Sequence, residues 1–121
     1  MTIANFNTTT AIDRSKLLER CLGIDAFADK IATAFVATLP TERNALNAAI
    51  ESSDWTQVAK QAHRLRGSAS NVCANELSAA AEAVERAVKE DLIDSTVSLI
   101  EKVDSAIDRI LREFENGLSL S

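Results

Sequence analysis

One histidine stands in the 121-residue chain, in the run Ala59-Lys60-Gln61-Ala62-His63-Arg64-Leu65-Arg66-Gly67-Ser68-Ala69-Ser70. On a helix, the positions at i−3, i+3, i+4 and i+7 from His63 are Lys60, Arg66, Gly67 and Ser70, which makes the surroundings of the ring basic, small and open. A neutral imidazole is a competent nucleophile near pH 7, its unperturbed pKa being about 6.5. Arg66 offers a charged donor fork suited to phosphate or carboxylate oxygens, and Lys60 and Arg64 add positive field. Gly67 costs about 1 kcal/mol relative to alanine inside a helix, and one turn beyond the histidine it gives clearance to whatever approaches the ring. Gln61 and Ser68 flank the site in supporting places. The chemistry these residues suit is the capture of an anionic group, such as a phosphoryl group delivered on another protein, by a positioned nitrogen.

A helix must carry this set. Trp55, Val58, Ala62, Leu65, Ala69 and Val72 recur at intervals of three and four, one buried helical stripe. At about 100° per residue, the centre of that stripe lies roughly 130° around the helix from His63, so the imidazole is expected to face water.

The run AHRLRGSAS resembles the signature of histidine-containing phosphotransfer (HPt) domains, Ala-His-x-Leu-Lys-Gly-Ser/Ala-Ala/Ser. Flanking residues agree: Leu39-Pro40 in a long preceding helix, Ser53-Asp54-Trp55 opening the histidine helix, Glu76-Leu77 opening the next, and Glu82 to Glu85 along it. The similarity runs from about Asp13 to Phe114. It implies that His63 is the phosphorylated histidine, Arg66 the basic residue usually occupied by lysine, and Gly67 the small residue beside it. Arg66 keeps the usual charge. Cys73 stands where the family has glycine near the end of the histidine helix, which leaves that helix ending open.

The remaining chain reads as scaffold. Its length suits one domain with one core, and one proline, three glycines and abundant Ala, Leu, Ile and Val favour an all-α fold. A flexible leader is expected over 1–12, a helical bundle over 13–116 and a short tail over 117–121. Asp13 caps a short lid helix carrying Leu17, Leu18 and Cys21 and ending near Gly23. Asp25 is a second expected cap, followed by an apolar face of Phe27, Ile31, Ala34, Phe35 and Thr38. That helix continues, kinked, through Pro40 to Leu46, Ala49 and Ile50. Asp54 with Gln57 resembles a capping box. Asn75 caps the next helix, whose stripe is Leu77, Ala80, Ala81, Val84 and Val88. A last helix from about Asp94 turns Val97, Ile100, Val103, Ile107, Ile110, Leu111 and Phe114 inward and stops at Asn116-Gly117. Short connections give an up-and-down antiparallel four-helix bundle with an additional short N-terminal helix.

Net charge of −5 argues against a nucleic-acid binder and makes the local cationic cluster more telling. No segment approaches the ~20 apolar residues of a membrane span, and no signal peptide opens the chain, so a cytoplasmic protein is expected. Met1 leans towards a separate protein. Cys21 and Cys73 are expected as free buried thiols. No phosphate loop of Walker or kinase type and no carboxylate trio for magnesium is visible, so no cofactor and no metal are expected on this chain. Clustered metal ligands and a Gly-x-Ser-x-Gly turn are also missing, against a metalloenzyme or a serine hydrolase. The resemblance implies a phosphorelay intermediate rather than an enzyme. Such a chain takes phosphate from the aspartate of one receiver domain and gives it to another, the receivers of hybrid histidine kinases and response regulators being its partners and holding the magnesium. A monomer is expected. The alternative is a helical adaptor that binds receiver or kinase domains without transferring phosphate.

Overall fold

The computed structural model describes residues 11–115. Five helices follow in order: α1 (Arg14–Arg20), α2 (Asp25–Glu51), α3 (Trp55–Asn71), α4 (Asn75–Lys89) and α5 (Ile93–Glu115). The four long ones form the up-and-down bundle, with α3 packed between α2 and α4, α5 on the far side of α4 and closing against α2, and α1 leaning on α2. The core is built of stripes that recur every three or four residues: Ala28, Ala32, Phe35 and Leu39 on α2, Val58, Ala62, Leu65 and Ala69 on α3, Leu77, Ala81 and Val84 on α4, and Ile100, Val103, Ile107 and Ile110 on α5. Burying these stripes against one another supplies most of the drive to fold.

Two stripes are turned from their expected faces. On α2, Phe27 is half exposed and Ala34 and Thr38 face water, while the small Ala28 and Ala32 line up with Phe35 and Leu39 in the core. On α5, Thr96 is buried and Val97 is 56% exposed. Four residues before Ile100, Thr96 continues the α5 stripe, and its hydroxyl donates to the Leu92 carbonyl at 3.1 Å, which satisfies the polar atom it buries. Pro40 lies inside a continuous α2, on its exposed side, where water can reach the carbonyl that the missing N–H leaves free. The packed body also begins earlier than expected. Ala11 and Ile12, assigned to the leader, are buried, tied down by the Ala11 N–H on Glu113 Oε1 at 2.8 Å and the Asp13 N–H on the Cys73 carbonyl at 2.9 Å. The expected stop at Asn116-Gly117 and most of the expected leader lie outside the described residues.

Capping follows the sequence in part. Asp13 accepts from the Lys16 N–H and Asp54 from the Gln57 N–H. The reciprocal half of a capping box is not formed at Asp54, whose own N–H goes to the Ala49 carbonyl at 2.9 Å. Asp25 and Asn75 are not caps: each is the first residue of its helix, behind Ile24 and Ala74, which make no side-chain capping bond. Asp25 still places a carboxylate in the first turn, where the helix dipole favours it.

Helices α1 to α4 end alike. Leu22, Ser53, Cys73 and Asp91 have φ values of 58°, 55°, 61° and 59°. The residue after each, Gly23, Asp54, Ala74 and Leu92, sends its N–H back to the carbonyls of Leu18, Ala49, Ala69 and Ala87 at 2.8–2.9 Å. This is the Schellman ending, in which glycine usually takes the left-handed position. Cys73 therefore does the work of a glycine at the end of the histidine helix, with its thiol buried in the core. Burial pushes the pKa of that thiol up, more than the nearby Arg20 lowers it. Both cysteines are free and buried. Leu22 holds the same conformation with its side chain 86% exposed, so it gains no burial in exchange. Leu22→Gly is accordingly expected to raise stability by about 1 kcal/mol, read as a higher urea midpoint at unchanged slope.

Candidate functional site

Helix α3 presents its polar face between α2 and α4, and at mid-length on that face stands His63, its side chain 60% exposed. The ring is held by one edge. Nδ1 lies 3.0 Å from Glu85 Oε2 on α4 and 3.0 Å from an Arg66 terminal nitrogen one turn along α3. Nε2, the outer nitrogen, has no hydrogen-bond partner among the described residues.

Glu85 is the hub of the cluster. Its side chain is only 10% exposed, and its Oε2 also accepts from the Lys89 ammonium at 3.0 Å, while Oε1 faces Arg66 Nε at 3.3 Å in an ion pair whose angle is too poor for a hydrogen bond. Burial alone pushes the Glu85 carboxyl up, but hydrogen bonds from Lys89 and His63, with their positive charge, outweigh it and hold the carboxyl below its ordinary value. Glu85 is therefore ionised at neutral pH. The Ser78 hydroxyl donates to the Arg66 carbonyl at 3.2 Å, a further tie that fixes α4 against α3 at the level of the site.

Not every residue singled out in the sequence reaches the ring. Gly67 is exposed, and a Cβ built on it meets nothing within 4 Å, so no neighbour among the described residues requires glycine there. Lys60 forms no ion pair among the described residues and lines, with Ala59, His63, Glu85 and Lys89, a shallow groove of about 350 Å³. Arg64 points elsewhere, to Glu42 of α2 at 3.6 Å. Gln61 and Ser68 are half buried and make no side-chain hydrogen bond among the described residues, and Ser70 is tied to α1 through its carbonyl, which accepts from Arg20 at 2.9 Å.

Sequence reasoning missed Glu85 and Lys89 as site residues. A signal was present: Glu85 follows Val84 and stands four residues after Ala81, at the edge of the apolar stripe of Leu77, Ala81, Val84 and Val88, and a carboxylate placed there must find cationic or N–H partners. Lys89, four residues on, is the local one.

No group of three or more His, Cys, Asp or Glu able to hold a metal ion occurs among the described residues. None of the described helices is long and apolar enough to cross a membrane. What the arrangement can do is leave one ring nitrogen, Nε2, without a hydrogen bond among the described residues, beside Lys60, Arg66 and Lys89, which attract anions. A family model described as Hpt domain matches residues 30–113. No curated protein and no solved structure is significantly similar to the chain.

Proposed function

The chain belongs to the Hpt domain family, phosphotransfer modules of two-component phosphorelays, and from that premise we propose that His63 accepts a phosphoryl group from the aspartyl phosphate of one receiver domain and passes it to the aspartate of another. The observation that carries this reading is the exposed imidazole held by Nδ1 alone, with Nε2 facing outwards. The Nε2 lone pair attacks phosphorus as the bond from phosphorus to the aspartyl oxygen breaks, and the electron pair leaves with the receiver's carboxylate. In the second half the acceptor carboxylate attacks, and the N–P electron pair returns to Nε2. Arg66 and Lys60 offset the negative charge that gathers on the phosphoryl oxygens, and the missing side chain at Gly67 lets the receiver's loops close on the ring.

This chain supplies a nucleophile and charge, and no nucleotide. Magnesium comes with the receiver. The protein works in the cytoplasm as a monomer, docking receivers of hybrid kinases and response regulators.

Purified protein incubated with a panel of receiver domains carrying labelled aspartyl phosphate and magnesium is expected to take up label in an acid-labile, base-stable form and to return it to a second receiver. Receivers that bind without transferring label would leave a docking adaptor as the function instead.

A further inference from the structure

On the flank of α4 turned away from His63 runs a larger groove, of about 680 Å³, and among the described residues only α4 and α5 line it. Ala83 stands two residues from Glu85, about 200° around the helix, so Glu85 faces α3 while Ala83 faces α5. Ala79, Ala80 and Ala83 line one side and Leu99 the other, a mostly apolar surface whose charged lining residues are Glu76, Glu101 and Lys102. Ala80 and Leu99 rest on the core beneath, and Ala79 is exposed.

The chain enters the fold at one end of this groove. Buried Ala11 donates its N–H to Glu113 Oε1 at 2.8 Å. Glu113 Oε2 accepts from Arg109 at 3.3 Å, and the same guanidinium donates to Glu76 Oε1, itself in the groove wall, at 3.0 Å. Lys102, Ser105, Arg109 and Glu113 follow one another at three and four residues, so one face of α5 runs from the anchor of Ala11 into the groove.

We propose that this groove is the seat of the chain's own residues 1–10, with Phe6 as the apolar anchor. The composition suits an apolar surface: the segment holds no Asp, Glu, Lys or Arg side chain, and Phe6 is its one aromatic residue. No charged side chain has to leave water for it to lie there. Reach suits as well. Ser105 lies eight residues before Glu113, about 12 Å along α5, and Phe6 is five residues from Ala11, up to about 17 Å of chain. Phe6 therefore reaches the middle of the groove. Tethering favours this occupant over a separate one, because a short linker gives an effective concentration on the order of millimolar, which a second copy or a free peptide lacks.

The test is a photocrosslink in the 121-residue chain, with p-benzoylphenylalanine in place of Phe6. Irradiation is expected to join position 6 to the α4 stretch 76–83 or the α5 stretch 99–105 of the same molecule, read by peptide mass spectrometry on the monomer band. Ala83→Arg puts a long charged side chain into the groove and is expected to lower the docked population, and with it the crosslink yield, about 10-fold. Phe6→Ala is expected to lower the urea midpoint by roughly 0.5 M at nearly unchanged slope. Crosslinks to any other part of the chain overturn the proposal, as does the absence of a crosslink. A crosslink between two molecules overturns it in favour of a second copy as the occupant. These outcomes are read on a protein with Ala83 intact, so they stand whether or not Ala83→Arg folds.

Discussion

Label uptake by His63→Gln is expected to fall by on the order of 10⁴-fold or more, to background, with every receiver that phosphorylates the wild type. The size follows from the inventory of the site. The chain holds one histidine, and the other groups near the ring are a carboxylate, cations and hydroxyls. The carboxylate and the hydroxyls give no acid-labile, base-stable phosphoramidate, and the Lys89 nitrogen is tied to Glu85 Oε2 at 3.0 Å. The fold should not notice the change. His63 is 60% exposed, and Glu85 keeps Lys89 at 3.0 Å and Arg66 at 3.3 Å once the imidazole is gone, so no buried charge is orphaned. A melting temperature within about 3 °C of wild type is expected by circular dichroism, since exposed substitutions of this kind usually stay within about 0.5 kcal/mol. Label persisting on His63→Gln would move the nucleophile elsewhere on the chain.

The histidine helix was legible because its evidence is local. A stripe from Val58 to Ala69 and a cap at Asp54 lie within one segment, and the outward direction of His63 follows from counting along it. Glu85 lies 22 residues away and reaches the ring only because α4 packs on α3, which no spacing rule within α3 contains. Direction failed where two readings of one helix were close. Phe27 and Val97 are the more apolar choices, yet the faces that pack are those of Ala28 and Thr96, because small or internally bonded side chains let neighbouring helices approach. The expected caps at Asp25 and Asn75 missed by one residue for a related reason. A left-handed Leu22 or Cys73 sets how the chain re-enters the next helix, and glycine-based rules do not find a left-handed turn made by leucine or cysteine. The same turn accounts for Cys73 in the place of the family's glycine: the backbone conformation glycine would supply is present, with a thiol added to the core.

Leu65→Ala should produce the reverse of the His63 result from the opposite face of the same helix. Leu65 is 1% exposed and among the largest fully buried side chains. Its truncation removes apolar burial and leaves a cavity, a loss of about 3–4 kcal/mol for a site that collapses partially. For a domain of this size that is a fall in melting temperature of roughly 10–15 °C, measurable by the same dichroism melt. Stability of about 5–15 kcal/mol leaves enough folded protein to assay at 25 °C. Phosphoryl uptake per folded molecule should then stay within about 3-fold of wild type, because the groups that hold the ring, Glu85, Arg66 and Lys89, are anchored to one another by ion pairs on the solvent side of α3. A much larger loss of rate per folded molecule would mean that core packing, transmitted through the helix backbone, sets the distance from Nδ1 to Glu85. The pair of variants thus separates two ways of building a reactive histidine. In one, a rigid core positions the ring through its helix. In the other, which the geometry here favours, the helix carries the ring to the surface and a carboxylate from the neighbouring helix does the final positioning.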